Sequence, residues 1–278
     1  MSWVEDFLRE DEGHGDITSQ ALLGDEVGIA VVRVNQACVL AGLEEAEEVF
    51  RHLGLAAFRE ARDGDEISGG AAVLRVEGRL KDILLGERLA LNMLMRMSGI
   101  ATATAEVVYT CRQRNPSVRV AATRKTTPGF RRFEKKAVVL GGGDPHRYRL
   151  DDAILIKDNH LAVVGSVTEA VRRAREVSFT KKVEVEVEDL LTAQEAARAR
   201  ADIIMLDNMS PAEAKRCAAA IKEIDARIVV EASGGITPSN APDYAAAVDV
   251  ISLGWLTHSP TAMHFSLDVL EVKAPGRP

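Results

Sequence analysis

Cysteine is scarce in this chain. Its 278 residues include three, Cys38, Cys111 and Cys217, odd in number and far apart. They form no CxxC pair and no metal-ligand spacing, which argues against a disulfide framework and a thiolate metal centre. Reduced thiols in a cytoplasmic protein are the expectation. Positive charge is not in excess either. Lys and Arg number 35 against 42 Asp and Glu, a formal net charge of -7. Non-specific binding to nucleic acid or to an anionic membrane surface is therefore not expected. No apolar run approaches the ~18 residues of a membrane span. The opening stretch, Met1-Ser2-Trp3-Val4-Glu5-Asp6, is acidic and has no apolar core, so no secretory signal is expected. Low-complexity segments, linkers and repeats of 20–50 residues are also lacking.

What is there is ordinary globular material, 46% hydrophobic and 28% charged, enough for one large domain or two modest ones. The first hundred residues read as α+β. Strands are predicted at 27–34 and 72–76. A helix at 43–53 is expected to turn Glu44, Glu45, Glu47 and Glu48 outward. A long helix follows at about 83–110. Its apolar stripe is Leu85, Leu89, Met93 and Met97, and Arg88, Asn92 and Arg96 form a polar stripe beside it. From about residue 115 short apolar strands alternate with helices: 118–122, 153–156, 183–187, 203–206, 228–230 and 248–253. That rhythm predicts βαβ units and a parallel sheet, an incomplete β/α barrel of about six to seven strands. The segment 264–272 alternates again and is expected to return to the first domain as a strand. The predicted division is an N-terminal α+β open-sheet domain, 1–112, completed by a C-terminal strand within 261–278, and a barrel domain, 113–260.

In such barrels chemistry gathers at the C-terminal ends of the strands. Polar clusters stand at those ends here: Thr123-Arg124-Lys125, Lys157-Asp158-Asn159-His160, Asp207-Asn208, Glu231-Ala232-Ser233-Gly234-Gly235 and Gly254-Trp255-Leu256-Thr257-His258. Gly141-Gly142-Gly143 and His146-Arg147 lie between the first two. So many cationic groups in an acidic chain describe a pocket for a ligand with several negative charges. In the strand at 183–187, valines alternate with Glu184 and Glu186. Those glutamates face either water, on an edge strand, or the barrel interior, where a carboxylate needs a cation, a metal or a hydrogen-bonding ligand. The glycines after the last two strands suit an anion approaching the backbone closely.

Together these segments resemble the quinolinate phosphoribosyltransferase family. The resemblance is carried by Gly15-Asp16-Ile17-Thr18, Glu87-Arg88, Ser98-Gly99-Ile100-Ala101-Thr102, Thr123 to Gly129, Lys157 to His160, Val183 to Val187, and Leu256-Thr257-His258-Ser259. It covers nearly the whole chain. It implies a cytoplasmic enzyme of NAD biosynthesis that converts quinolinate and phosphoribosyl pyrophosphate (PRPP) to nicotinate mononucleotide, pyrophosphate and carbon dioxide with Mg²⁺. Arg124, His146, Arg147 and Lys157 would then hold the two carboxylates. Lys125 would lie between the substrates, beside Thr123. Glu186 and Asp207 would face the ribose and the Mg²⁺-pyrophosphate. Ser233, Gly234, Gly235, Gly254 and His258 would line the phosphate side. Arg88 would reach into the pocket of a neighbouring subunit, making a homodimer at least. The stretch 144–150 departs from the commoner family form, which has asparagine before the His-Arg pair and glycine two residues after it.

Other readings remain open on sequence alone. Nicotinate phosphoribosyltransferase or another paralogue of the same fold would take a monocarboxylate. A Schiff-base aldolase would use Lys125 or Lys157 as nucleophile. A non-enzymatic binding protein would tolerate degenerate catalytic positions, and these are intact.

Overall fold

The structure is a computed structural model and describes residues 2–273. It forms two compact units, 1–102 with 260–278, and 103–259. The division falls inside a helix, upstream of the 112/113 boundary that the change of rhythm suggests.

The first unit begins with α1 (Trp3–Glu12), whose Ser2 and Glu5 form a reciprocal capping box, and α2 (Ile17–Leu22), capped by Asp16. Strands β1 (Val27–Val34) and β2 (Cys38–Val39) follow, then α3 (Leu43–His52), β3 (Ala56–Arg59), β4 (Glu66–Ile67) and β5 (Ala72–Arg79). The valine-rich β1 lies between β5 and the last strand of the chain, Phe265–Lys273, antiparallel to both; β3 completes a four-stranded sheet. The returning strand thus has the predicted role, and the expected segment beyond residue 273 lies outside the described residues.

Helix α3 differs from expectation. Glu44 and Glu48 are exposed, but Glu45 and Glu47 are buried. Glu47 is held by Arg51 at 2.9 Å and by Arg59 on β3 at 3.3 Å, a cation that helical periodicity does not reveal. Helix α4 (Leu80–Arg112) is 33 residues long, three longer at its start than predicted and two at its end. Leu89, Met93 and Met97 are buried as expected, joined by Leu91, Leu94 and Ile100; Leu85 is only half-buried, and Arg88 and Asn92 are exposed.

The second unit is built on six parallel strands: β6 (Arg119–Ala121), β7 (Ile154–Ile156), β8 (Val183–Val187), β9 (Ile203–Asp207), β10 (Val229–Ser233) and β11 (Val250–Ser252). Their order is β6-β11-β10-β9-β8-β7. Asp144 adds a single parallel bridge to Ala121, on the free side of β6. It is a rudimentary seventh strand, and the ladder is not closed between it and β7. This is the incomplete β/α barrel that alternating strands and helices predict. The helices are α5 (Arg131–Leu140), α6 (Asp158–Val164), α7 (Val167–Val177), α8 (Leu190–Arg198), α9 (Pro211–Ile224), α10 (Ala241–Ala245) and α11 (Trp255–His258). Val183, Val185 and Val187 are buried on one face of β8, which leaves Glu184 and Glu186 on the other, inside the barrel. The alternative of an edge strand with glutamates in water is excluded, because β8 pairs with β7 and β9 on its two sides. The three cysteines are free and buried.

Candidate active site

The C-terminal ends of the barrel strands enclose a cavity of about 430 Å³. Of the residues expected from sequence, Thr123, Arg124, Lys125, His146, Arg147, Lys157, Glu186, Asp207, Ser233, Gly234 and Gly235 line it. A second lobe of about 250 Å³ shares Thr123, Lys125, Ser233, Gly234 and Gly235 with the first, and adds Gly254 and His258. Two lobes with one common wall suit two ligands that meet. Arg88 lines neither.

Each wall has a local cause. After β6 the chain turns at Thr123, whose Oγ1 accepts from Lys125 N at 3.1 Å, and the buried Thr257 donates to Lys125 O at 2.7 Å. Lys125 is thereby fixed at its main chain and exposed at its side chain. Arg124 Nε is buried without a hydrogen-bond partner. An orphaned guanidinium donor in a cavity wall is costly unless an anion satisfies it. Lys157 ends β7 and its Nζ lies 2.5 Å from Glu186 Oε2 on β8, so the one cation and the one carboxylate hold each other across the cavity. Asp207 ends β9. Burial, then the charge of Glu186, push its carboxyl above the ordinary range, and Asn208 donates to it at 2.6 Å.

The glycines at the other side make room. Gly234 has φ +85°, and a Cβ there would lie 2.5 Å from Asn208 N. No other residue fits that position without moving the β9 turn. At Gly254 a Cβ would lie 2.8 Å from Lys125 Cδ.

Deeper in the barrel sits an acid pair that the sequence did not assign. Glu184 and Glu231 are 1% and 2% exposed. Glu231 accepts from Ser252 Oγ at 2.6 Å and lies 3.3 Å from His146 Nε2. Both Glu184 oxygens lack a hydrogen-bond partner, and His146 Nε2 is 3.8 Å away. Burial, reinforced by the charge of Glu231, pushes the Glu184 carboxyl up to about 7. Alternation along β10 was the available signal: Glu231 and Ser233 share a face, so one points into the barrel if the other does.

His146 occupies the left-handed region at φ +51°, where a residue other than glycine costs roughly 1–3 kcal/mol. Its Nδ1 accepts from Arg147 N at 2.8 Å. Burial disfavours a charged ring; Glu231 and Glu184 favour it and together raise its pKa. Its Nε2 faces the acid pair, so the two ring nitrogens have partners on opposite sides, Arg147 N and Glu231.

Similarity to known proteins runs along nearly the whole chain. Residues 16–98 match the N-terminal domain, and residues 100–268 the C-terminal domain, of quinolinate phosphoribosyl transferase. A probable nicotinate-nucleotide pyrophosphorylase [carboxylating] of Methanothermobacter thermautotrophicus is 47% identical over 98% of this chain and 100% of its own length. The human nicotinate-nucleotide pyrophosphorylase [carboxylating] is 44% identical over 82% of this chain and 78% of its own. The crystal structure of NadC from Streptococcus pyogenes superposes with a TM-score of 0.90 at 40% identity, covering 96% of each chain. A human nicotinic acid phosphoribosyltransferase structure, 12% identical with a TM-score of 0.65, shares the fold alone. The chain is a phosphoribosyltransferase and belongs to the quinolinate phosphoribosyltransferase family.

Proposed function

We propose that the protein transfers the phosphoribosyl group of PRPP to the ring nitrogen of quinolinate, releasing pyrophosphate and carbon dioxide and giving nicotinate mononucleotide. The observation that carries the reading is the polarity of the two-lobed cavity. Arg124, Arg147 and Lys157 stand in one lobe, Gly254 and His258 in the other, and Lys125 belongs to both.

Quinolinate is a dianion and PRPP carries several negative charges, so the two repel until cations offset them. Arg124 and Arg147 grip a carboxylate through paired N–H groups, whereas Lys125 and Lys157 are compact point charges. Arg124 Nε, without a partner in the free protein, acquires one on binding. His146 joins Arg147 at the carboxylates, and Lys125 lies between the substrates, near the carboxylate that leaves. Ser233, Gly234 and Gly235 offer hydroxyl and main-chain donors to phosphate.

As pyrophosphate departs, positive charge grows on the ribose. Glu186 and Asp207 face that charge and stabilise the transition state more than the ground state. The pair also fits Mg²⁺: both are hard oxygen donors, and the mutual repulsion that helps push Asp207 up is what a divalent cation relieves. Glu186 and Asp207 would hold the ion together with PRPP, and the ion would neutralise charge on the leaving pyrophosphate. Decarboxylation follows glycosyl transfer, because a quaternised ring nitrogen stabilises the carbanion left behind; the protein supplies orientation.

The active form is read as a homodimer, with the exposed Arg88 of α4 supplied to the partner's cavity. No helix among the described residues is long and apolar enough to cross a membrane, and the buried free thiols suit the cytoplasm.

The test is an assay of the purified protein with PRPP, Mg²⁺ and either quinolinate or nicotinate, following pyridine nucleotide and carbon dioxide. Turnover with quinolinate alone, lost in Arg124→Ala, is expected. Turnover with nicotinate and no carbon dioxide would overturn the reading.

A further inference from the structure

Lys135 is fully buried on α5, yet it lines neither lobe of the cavity. We propose that Lys135, together with Asp152, is a positioning residue for the substrate-gripping pair His146–Arg147. It acts through the main chain of the 145–149 segment. This inference rests on the reading that those two side chains receive the dicarboxylate substrate.

The lysine ammonium donates to Pro145 O and, at 2.8 Å, to Arg147 O. These are the carbonyls on either side of His146. One buried cation thus brackets the residue whose φ is +51°. Its Nζ also lies 5.3 Å from the centre of the Tyr148 ring. The rest of the segment is pinned in the same way. His146 N donates to Asp144 Oδ1 at 2.7 Å. Asp152 Oδ2 accepts from Tyr148 N at 2.6 Å and from Arg149 N at 3.0 Å.

The chemistry explains why a lysine stands there. A tetrahedral ammonium with three donors serves two carbonyls at once, and a neutral side chain of similar length would leave both short of a partner in a buried setting. Burial, then the charge of Arg131, push the ammonium down to about 8, and Asp144 and Asp152 offset part of that cost. The barrel ladder reaches the segment through the single Asp144 bridge, and side chains do the rest: Arg131 Nη1 donates to Tyr148 O at 2.9 Å and Arg147 Nη1 to Ala153 O at 3.4 Å. Lys135 is the side chain that takes the carbonyls of both neighbours of His146, so without it the left-handed turn loses its restraint on the carbonyl side and keeps the Asp144 contact at its N–H. A displacement of about 1 Å in a gripping side chain costs up to about a hundredfold in the step it serves.

The experiment compares wild type with Lys135→Met, measuring KM for quinolinate, kcat and the dissociation constant for PRPP. A rise of about tenfold or more in the KM for quinolinate, with PRPP affinity unchanged, is the expected result. Unchanged KM overturns the inference, and so does an equal weakening of both substrates, which marks a merely structural role. Should that variant fail to fold, Asp152→Ala frees the other end of the segment from an exposed position. It is expected to raise the same KM, and an unchanged value overturns the inference. Wild type run in parallel separates the two readings. No turnover of quinolinate by wild type removes the substrate assignment and this inference with it. An active wild type beside a variant of unaltered KM removes this inference alone.

Discussion

Replacing Glu184 by glutamine should stabilise the protein at alkaline pH and leave it unchanged at acid pH. The side chain is 1% exposed and neither oxygen has a hydrogen-bond partner. Its carboxyl is raised from 4.5 to about 7, first by burial and then by the charge of Glu231. Below about pH 4.5 the acid is protonated in both folded and unfolded chains and contributes no difference. Between about 4.5 and 7 the folded chain keeps a proton that the unfolded chain has lost, so stability falls as pH rises. Above about 7 the whole penalty is present. A shift of about 2.5 units at 1.36 kcal/mol each corresponds to roughly 3 kcal/mol. Part of that rise comes from the charge of Glu231 and not from burial, so roughly 3 kcal/mol is an upper bound for Glu184. Glutamine keeps the shape and cannot ionise. Urea denaturation of both proteins, without substrates or Mg²⁺, at pH 5 and pH 8 tests this. The glutamine variant should be more stable at pH 8 by about 1–3 kcal/mol, and the gap should close toward pH 5. Parallel behaviour at the two pH values would refute the reasoning, since it would mean that Glu184 is paired and ionised throughout.

Two further outcomes follow from the cavity walls. Lys157→Met removes the cation 2.5 Å from Glu186 and leaves Glu186 beside Asp207 without it, so kcat/KM for quinolinate should fall by about a hundredfold or more, measured by steady-state kinetics. Gly234→Ala places a methyl group 2.5 Å from Asn208 N at a φ of +85°, and should weaken PRPP binding by calorimetry while quinolinate binding changes little.

Much of the fold and the site was legible in sequence, and particular residues show why. Strand β8 was predicted with its observed bounds, because valine-glutamate alternation has one meaning on a pleated strand. The clusters after β6 and β7 stood out because arginine and lysine rarely follow strands in such numbers by chance. The misses share a cause: they depend on partners that other elements bring up. Glu47 faces inward because Arg59, on another element, meets it there. The acid pair needs β8 and β10, separated by β9, to turn the same faces inward. Lys135 looks like an ordinary helical lysine until the 145–149 segment folds over it. The unit boundary inside α4 leaves no mark on a helix whose periodicity continues across it. Local pattern sets which residues share a face, and tertiary structure decides what that face meets.

The first unit is assembled from both ends of the chain, and its last strand, Phe265–Lys273, pairs along the whole of β1. During synthesis that partner leaves the ribosome after the entire barrel. Throughout that interval the outer edge of β1, rich in valine, exposes unpaired main-chain groups to any passing strand. Yield from a cell should therefore depend on the 9 residues of that strand far more than their small share of the core would suggest. Truncation there would show itself as aggregation of nascent protein before any loss of catalysis could be measured.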